Sequence, residues 1–546
     1  MDRENHSPPL IGIVVLPAEF YATSAFQQTT KKIMDLKERI MGEFEGRAVE
    51  ASISSTAKVD NDQADDGLIW GMAALAARRQ AVRAHQAAFA KLRERWIKNN
   101  IYFYSNIHRV LQFIVQPGAR IMNLRCQTGF FLDTLNPAKG LGVEISDEMT
   151  EIARQRYPHL QFVTADPEEL TLEESFDYIL FSDINDTVDA LKALRRSGRF
   201  CEPHTRLILY TYNHLWQPIN NLAEYVGLKM PLPEQNWLSE ADLRGLLMVA
   251  DFDWLRTYRV VVFPKWIPLI SNFMNRFIAR IPGINRLCMI NVIVARPAPR
   301  PVDPSQVSVS VIVPCKNEQG NIEAAVRRIP DMGSHTEIIF CDDKSTDGTP
   351  DEVRRMKRKY PHRDIKLVAG PGICKAQNVW TGFDAASGDV LMILDADLAV
   401  MPEELPYFFN AIVERKGEFI NGSRMVYPMQ KMAMKFANML GNKFFGLVFS
   451  YLLNQPIKDT LCGTKVLWRS DWKRIKTKLG SWGVVDRWGD YELLFAATKL
   501  HLRIIDLPVH YQERVYGVTK MVRVFRNGLT MLRMCWAGFL KLKMGF

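Results

Sequence analysis

The sequence has 546 residues, of which 47% are apolar and 24% charged, which is the balance of a folded protein too long for a single core. Its 70 Lys and Arg residues exceed the 60 Asp and Glu residues, and the net charge of +10 suits an anionic partner such as a nucleotide diphosphate, a lipid phosphate or a membrane surface. The 8 Cys residues form no CxxC pair, which argues against a disulfide framework or a zinc site and fits a reducing cytosol.

Residues 1–100 are predicted to form a helical N-terminal extension, to which we assign no chemistry. Apolar residues recur at helical spacing over residues 30–50 and 71–98, and the polar stretch 55–67 between them is typical of a link. The sequence indicates no secretory signal, and we find no apolar run of the ~18 residues needed to cross a bilayer.

Residues 101–298 show short apolar runs of strand length separated by helical stretches. This alternation predicts a mostly parallel sheet with helices on both faces. The runs ARIMNLRCQTGFFLDTL and GLGVEISDEMTEIARQRYP resemble class I S-adenosylmethionine-dependent methyltransferases. The resemblance implies a cofactor site in which Gly129 lies in the first loop, Glu144 binds the ribose and Asp166 lies near the adenine.

The first loop of this region departs from the methyltransferase pattern. Asn123 stands in place of an acid, and Arg125 and Gln127 stand in place of glycines that let the backbone approach the cofactor. Two interpretations remain open: an active enzyme with an altered loop, in which Arg125 pairs with the cofactor carboxylate, or a scaffold that no longer binds S-adenosylmethionine.

Residues 299–306 are Pro-rich and predict an extended interdomain linker. After them the alternation of strands and helices restarts over residues 307–520. The predicted fold class is therefore α/β, with two Rossmann-like domains in succession behind the helical extension.

Three strands of the second domain end in acidic residues, at Glu318, at Asp343, and at Asp395 with Asp397. Side chains at the carboxyl ends of parallel strands point into the ligand crevice, so these acids are expected to converge. Two carboxylates one residue apart are costly without a cation, and Mg²⁺ or Mn²⁺ takes oxygen ligands and bridges to phosphates. We predict a metal site at Asp395 and Asp397; the alternative is that they cap the following helix.

The order of these motifs resembles the family 2 glycosyltransferases with the GT-A fold, from Val307 to the end of the chain. The motifs are P-x-x-N-E at 314–318, D-D-x-S-x-D-G-T at 342–349, a Gly- and Lys-bearing stretch at 370–377, A-x-G-D at 386–389 and D-x-D at 395–397. One departure is Ala399, where polyprenol-using relatives often have a polar residue. The donor-binding residues that the resemblance implies are Pro314, Glu318, Asp343, Lys375, Asp395 and Arg424.

A hydroxyl acceptor would need a general base in the inverting reaction of this family. The resemblance favours Asp490 for this role, with Glu492 as the second choice. The segment over residues 514–520 resembles the R-x-x-G-x-S-K segment of polyprenyl-phosphate and dolichyl-phosphate glycosyltransferases. It implies a phosphate clamp made by Arg514, Thr519 and Lys520, for the donor diphosphate, the lipid phosphate or both.

Two segments indicate contact with a membrane. Residues 444–453 are apolar on all sides but too short to span it, and residues 521–546 carry a basic amphipathic pattern suited to lying in the interface. For the second segment, packing on the catalytic core or a dimer contact are the alternatives.

The sequence thus predicts an inverting glycosyltransferase of surface-glycan synthesis. It would move a sugar from a nucleotide sugar to a polyprenyl phosphate or another glycan or lipid acceptor, as a peripheral enzyme on the cytoplasmic face of a membrane. The alternative is a methyltransferase whose glycosyltransferase-like half serves as a binding module. A nucleic-acid partner is not expected, because basic and aromatic residues do not cluster in an obvious groove. The oligomeric state stays open.

Overall fold

The computed structural model describes residues 66–227, 229–233, 235–427, 436–514, 516 and 524–545. The helix predicted over residues 71–98 is present as α1 (Asp66–Asn99). The helix predicted over residues 30–50 lies outside the described residues, as do Thr519 and Lys520 of the predicted phosphate clamp.

The first sheet has seven strands in the order β3-β2-β1-β4-β5-β7-β6. Its strands are parallel except β7, which runs antiparallel to both neighbours. The strands are β1 (Arg120–Leu124), β2 (Lys139–Glu144), β3 (Gln161–Thr164), β4 (Phe176–Ser182), β5 (Cys201–Tyr212), β6 (Phe252–Val260) and β7 (Ile290–Pro297). The helices of this region are α2 (Ile101–Ile114), α3 (Phe130–Thr134), α4 (Asp147–Arg156), α5 (Ala190–Ser197), α6 (Gln217–Tyr225), α7 (Glu240–Val249) and α8 (Ile270–Arg276).

The second sheet also has seven strands, in the order β10-β9-β8-β11-β13-β12-β14. Here β13 is the antiparallel strand, between β11 and β12. The strands are β8 (Ser308–Cys315), β9 (His335–Asp342), β10 (Asp364–Ala369), β11 (Val390–Ile393), β12 (Phe419–Ser423), β13 (Lys465–Trp468) and β14 (Ile504–Pro508). The helices are α9 (Gln319–Arg328), α10 (Thr349–Lys359), α11 (Lys375–Ala385), α12 (Leu405–Val413), α13 (Phe436–Leu453), α14 (Arg469–Lys476), α15 (Asp490–Lys499) and α16 (Val524–Leu542).

The predicted fold class is confirmed: two mixed α/β sheets, each mostly parallel, follow the helical α1. The central strands are almost wholly apolar because helices cover both faces of each sheet. Strands β9, β8 and β11 lie side by side and parallel, so their carboxyl ends meet at one edge. This edge is where the acidic segments were expected.

The described residues of 83–214 and 235–546 form one compact unit that contains both sheets, and those of 66–82 and 215–234 form another. Within the first of these units, a buried ionic cluster joins the two sheets. Arg206 of β5 donates to Glu418 at 2.8 Å, and Arg296 of β7 lies 3.3 Å from the second oxygen of the same carboxylate. Arg256 of β6 donates to the Thr498 carbonyl at 2.9 Å. Charged hydrogen bonds of this kind fix the junction, because a buried charge is stable only when it is paired.

Candidate functional site

Two carboxylates and two cations face each other just beyond β11. The Lys375 Nζ atom, from the first turn of α11, lies 2.5 Å from Asp395 Oδ1. Arg514 Nη2, which follows β14, lies 2.6 Å from Asp397 Oδ2. Each carboxylate is thus held by one positive side chain, and all four groups were predicted from the sequence to lie at the donor or phosphate site.

A glycine opposite Asp395 makes room for its side chain. A Cβ atom at Gly463 would lie 2.2 Å from Asp395 Oδ2, far inside van der Waals contact. Backbone also shapes the neighbouring acid, since the Ala399 N–H donates to Asp397 Oδ1 at 3.1 Å. This bond closes a local turn and does not cap a helix, because the N-cap residues of the following 3-10 helix and of α12 are Met401 and Glu404.

The predicted nucleoside-binding acids lie at the ends of β8 and β9. Glu318 is buried and accepts from Asn321 Nδ2 at 2.8 Å. Asp343 is also buried, accepts from the Gly372 N–H at 2.8 Å, and has Lys316 Nζ 3.5 Å from its other oxygen. Pro314 lies in β8 itself, one residue before the strand ends.

The predicted general base lies at the start of α15. Asp490 Oδ1 accepts from Lys465 Nζ at 2.6 Å, and that lysine is fully buried in β13. The Ala376 N–H donates to the Arg487 carbonyl at 3.2 Å, which places the start of α15 beside the start of α11 and Lys375. Glu492 points elsewhere, because its Oε2 accepts from the Gly480 N–H at 3.2 Å.

Arg424 makes a bidentate ion pair that the sequence did not reveal. Its Nε and Nη2 atoms donate to the two oxygens of Asp459 at 2.7 and 2.9 Å, and its guanidinium lies 5.1 Å from the Tyr511 ring. Asp459 and Lys465 were both missed by sequence reasoning. A lysine inside the apolar run of β13 was the available signal for the second of them, since a fully buried lysine needs a partner.

Burial and the charges of the site shift the pKa values of its carboxyl groups in opposite directions. Burial raises the pKa of Asp395, but the adjacent Lys375 ammonium outweighs it and leaves the pKa below its usual value. Burial and the Asp395 carboxylate raise the pKa of Asp397 above its usual value, against the effect of Arg514. Burial likewise raises the pKa of Asp490, which Lys465 only partly offsets.

The two carboxylates fit a divalent ion at a phosphate site. Among the described residues, no three His, Cys, Asp or Glu side chains are grouped so as to hold a metal by themselves. Mg²⁺ is commonly held by one or two carboxylates, with substrate phosphates and water as the remaining ligands. Asp395 and Asp397 offer that set, and Lys375 and Arg514 are placed to meet a diphosphate.

In the first half, Arg125 lies among the residues predicted to bind the cofactor. Its Nη2 atom donates to Asp186 Oδ2 at 2.7 Å, and its Nη1 atom lies 4.0 Å from Glu144. Glu144, the predicted ribose ligand, already accepts from the N–H groups of Gln127 and Ile145 at 2.8 Å each. All three charged side chains are almost completely buried.

One cavity beside this loop is very small. A cavity of about 10 Å³ lies next to Gln127 and Thr128, whereas cofactor pockets measure about 300–1,000 Å³. Helix α1 closes the loop from outside, since Thr128 Oγ1 donates to Glu94 at 2.6 Å. Gly129 starts α3 with φ 85°, and Asp166 accepts from the Glu168 N–H in a local turn. In this arrangement the residues do not fit S-adenosylmethionine.

Both segments predicted to contact a membrane present apolar side chains to solvent. Leu440, Phe444 and Leu447 are exposed on α13, and Trp536 is exposed on α16 together with Leu529, Leu532 and Leu540. Packing on the catalytic core therefore does not account for this stripe of α16. None of the described helices is both long and apolar enough to cross a membrane.

Comparison with known proteins follows the same division into two halves. Residues 310–475 match the family model of Glycosyl transferase family 2, and residues 123–209 match that of a Methyltransferase domain. The match to the glycosyl transferase family thus lies behind the match to the methyltransferase family, one in each half of the chain.

Two curated relatives carry the name Dolichol-phosphate mannosyltransferase. The Dolichol-phosphate mannosyltransferase of Pyrococcus furiosus is 38% identical over 120 residues, which cover 22% of this chain and 33% of that relative. The Dolichol-phosphate mannosyltransferase of Saccharomyces cerevisiae is 32% identical over 175 residues, covering 28% of this chain and 64% of that relative. The chain therefore spans less than two thirds of the length of these curated relatives.

A solved structure is also similar to part of the chain. Glucosyl-3-phosphoglycerate synthase from Mycobacterium tuberculosis, in complex with Mn²⁺, uridine diphosphate and glucosyl-3-phosphoglycerate, is 15% identical and gives a TM-score of 0.32. The match covers 43% of this chain and 80% of that one.

Proposed function

We propose that the second half of the chain transfers a sugar from a nucleotide-sugar donor to a polyprenyl phosphate, at a membrane surface and with a divalent cation. A glycan or lipid hydroxyl is the second class of acceptor. The relatives named Dolichol-phosphate mannosyltransferase support the polyprenyl phosphate, because dolichol phosphate belongs to that class of lipid.

The observation that carries the proposal is the quartet Lys375, Asp395, Asp397 and Arg514. The two carboxylates would hold a divalent ion, and each has a positive side chain within 2.6 Å. This arrangement of negative and positive groups matches the alternating charges of a diphosphate with its bound metal. When bound, the ion would neutralise charge on the leaving diphosphate. Lys375 and Arg514 would donate to the diphosphate oxygens and hold the donor in place.

The reaction we propose is a single displacement with inversion. An acceptor oxygen forms a bond to the anomeric carbon of the sugar, while the bond from that carbon to the diphosphate oxygen breaks. The nucleoside diphosphate leaves with the electron pair. Glu318 and Asp343, at the ends of neighbouring strands, would hold the nucleoside.

The role of Asp490 depends on the acceptor. With a hydroxyl acceptor, its carboxylate would take the proton that the attacking oxygen loses, and its raised pKa makes it a stronger base than an ordinary Asp carboxylate. A phosphate acceptor is already an anion and has no such proton to lose. Asp490 would then serve to position groups, through its ion pair with Lys465.

The test is a screen of nucleotide sugars with Mn²⁺ against polyprenyl phosphate in detergent, read by mass spectrometry of the lipid product. Wild type should form product, and Asp397→Ala should lower the rate by about 10³-fold. Asp351→Asn, an exposed change in the first turn of α10, is the matched control and should keep the full rate. Equal product from wild type and Asp397→Ala would overturn the proposal.

For the first half, we propose a structural role without a bound cofactor. This favours the scaffold reading of the sequence over an active methyltransferase, and it rests on the Arg125 side chain between Glu144 and Asp186. Binding of S-adenosylmethionine to the full chain is the direct test.

A further inference from the structure

Helix α8 and its flanks, residues 265–287, expose apolar side chains and bury polar ones, which is the reverse of an ordinary surface helix. Surface helices bury apolar side chains and expose polar ones. In α8 the buried side chains include Ser271 and Asn275, whereas Leu269, just before the helix, is 86% exposed. Phe273, between the two polar residues, is 54% exposed.

The buried polar residues hold this segment in a defined shape. Asn275 Oδ1 accepts from the N–H groups of Val262 and Phe263 at 2.8 and 2.9 Å, and Asn275 Nδ2 donates to the Phe263 carbonyl at 2.8 Å. Ser271 Oγ donates to the Lys265 carbonyl at 2.7 Å. These hydrogen bonds satisfy the inward polar groups, so the outward position of the apolar side chains is part of the fold.

The outward face is apolar and extensive. Its exposed large side chains are Trp266, Ile267, Leu269, Ile270, Phe273, Phe277, Ile281, Ile284 and Leu287. Isolated apolar residues are normal on a surface, but a contiguous group of this size marks an interaction site.

The charged residues that this segment itself contributes have a single sign. Residues 254–302 contain no Asp or Glu, and Lys265, Arg276 and Arg286 are exposed among the apolar side chains. A protein partner with an ordinary mixed surface would meet no acids here with which to pair its own cations. The exposed apolar side chains and the exposed cations both match a partner that is apolar within and negatively charged at its edge. An anionic lipid bilayer has that chemistry.

The segment is continuous with the apolar stripe of α13. Leu440, Phe444, Leu447 and Tyr451 recur at steps of three and four residues and so share one side of that helix. The Tyr451 hydroxyl donates to the Arg280 carbonyl at 2.9 Å, which attaches the end of the stripe to residues 265–287. Residues 419–458 are likewise without Asp or Glu. Both halves of the chain therefore contribute apolar and basic side chains to adjoining parts of the surface.

We propose that residues 265–287 form a docking segment for anionic lipid, through which the methyltransferase-like half attaches the chain to a membrane. The exposed aromatic and aliphatic side chains enter the interfacial region, and the exposed cations contact lipid phosphates. The proposal does not depend on sugar transfer, since it rests on the surface of the first half.

The test is sedimentation of the full chain with phosphatidylcholine vesicles, with and without phosphatidylglycerol. Wild type should bind the anionic vesicles more tightly than the neutral ones, and the double variant Leu269→Asp/Phe273→Asp should bind at least about tenfold more weakly. The double variant Met248→Asp/Tyr407→Asp carries the same added charge at exposed positions elsewhere and should bind as wild type. Thermal unfolding of each variant shows whether the fold is kept.

Three outcomes would overturn the proposal. These are equal vesicle binding by wild type and Leu269→Asp/Phe273→Asp, equal binding to neutral and anionic vesicles, and a dimer that this variant splits while wild type binds no vesicles. The last would assign the surface to a second copy of the chain. Product formation in detergent, measured in parallel, reports on sugar transfer independently and should not change in either double variant.

Discussion

Arg206 of β5 donates to Glu418, just before β12, at 2.8 Å across the junction between the two sheets, and both side chains are almost entirely buried. Glu418 also accepts from the Arg503 N–H at 2.9 Å and lies 3.3 Å from Arg296. Burial alone would raise the pKa of Glu418, but Arg206 and Arg296 outweigh it and lower the pKa to about 2.

Replacing this carboxylate should destabilise the whole chain. Glu418→Gln leaves the buried Arg206 guanidinium without its anion and Arg296 with Asp253 as its remaining anion, so the free energy of unfolding should fall by about 3–5 kcal/mol. Urea denaturation measures it, with the exposed Glu414→Gln as control. Unchanged stability in Glu418→Gln would contradict the role of the cluster.

The same carboxyl predicts a pH dependence of stability. Because its pKa is lower in the folded chain than in the unfolded one, its contribution is complete above about pH 4.5 and is lost as the pH falls toward 2. The acid limb of the stability profile should therefore be shallower in Glu418→Gln than in wild type. Parallel profiles below pH 4.5 would refute the assignment.

Gly463 should be essential to donor binding but not to folding. In Gly463→Ala the new Cβ would clash with Asp395 Oδ2, so the carboxylate must move away from its place beside Lys375. We expect Mn²⁺-dependent nucleotide binding to weaken by about 10-fold or more, as for loss of a charge-assisted contact. Calorimetry measures it, and Gly245→Ala, where a Cβ meets open space, is the control.

Asp490→Asn separates the two classes of acceptor. With a hydroxyl acceptor, kcat should fall by about 10²- to 10⁴-fold, whereas with a phosphate acceptor the loss should stay below about tenfold. Steady-state kinetics with both acceptors give the answer. Equal losses with both would mean that Asp490 does not act as a base.

Lys465→Met should move the acid limb of the pH–rate profile for a hydroxyl acceptor. The ammonium stabilises the ionised Asp490, so its removal should raise the pKa of that carboxyl further. A base is active only when deprotonated, and the acid limb should therefore shift to higher pH. An unshifted or downward-shifted profile of kcat would contradict the pairing.

The full chain should not bind S-adenosylmethionine. Calorimetry with wild type should show no binding heat, because Arg125 lies between Glu144 and Asp186 and the adjoining cavity is about 10 Å³. Arg125→Gly removes the side chain and gives the loop a residue suited to its φ of 57°. Stoichiometric binding by wild type would overturn the structural role.

Local patterns in the sequence were enough to predict the fold class and the convergence of the acidic segments. The alternation of strands and helices indicated both sheets, and the acids after β8, β9 and β11 were expected at one edge because those strands are parallel. What the sequence could not show are pairings between distant residues. Arg424 with Asp459 and Lys465 with Asp490 join segments 35 and 25 residues apart, and no periodicity encodes such a contact.

The direction of a side chain was harder still to predict. Arg125 was recognised as a departure in the cofactor loop, but its pairing with Asp186, 61 residues later, appears only once β1 and β4 lie side by side. The inverted face of α8 was missed for a similar reason. The sequence of an apolar stretch does not show whether its side chains face the core or the solvent. Only the structure, in which Ser271 and Asn275 are buried, shows that the apolar side chains of α8 face outward.

The ionic cluster at Glu418 also bears on how such a chain can evolve. A chain shortened to its second half would lack Arg206 and Arg296, so Glu418 would lose both of its arginine partners and become exposed to solvent. Under the structural role proposed for the first half, changes at its cofactor loop would leave the ionic cluster intact, whereas deletion of that half would break it. The first half would then be retained for the contacts that it supplies to the second.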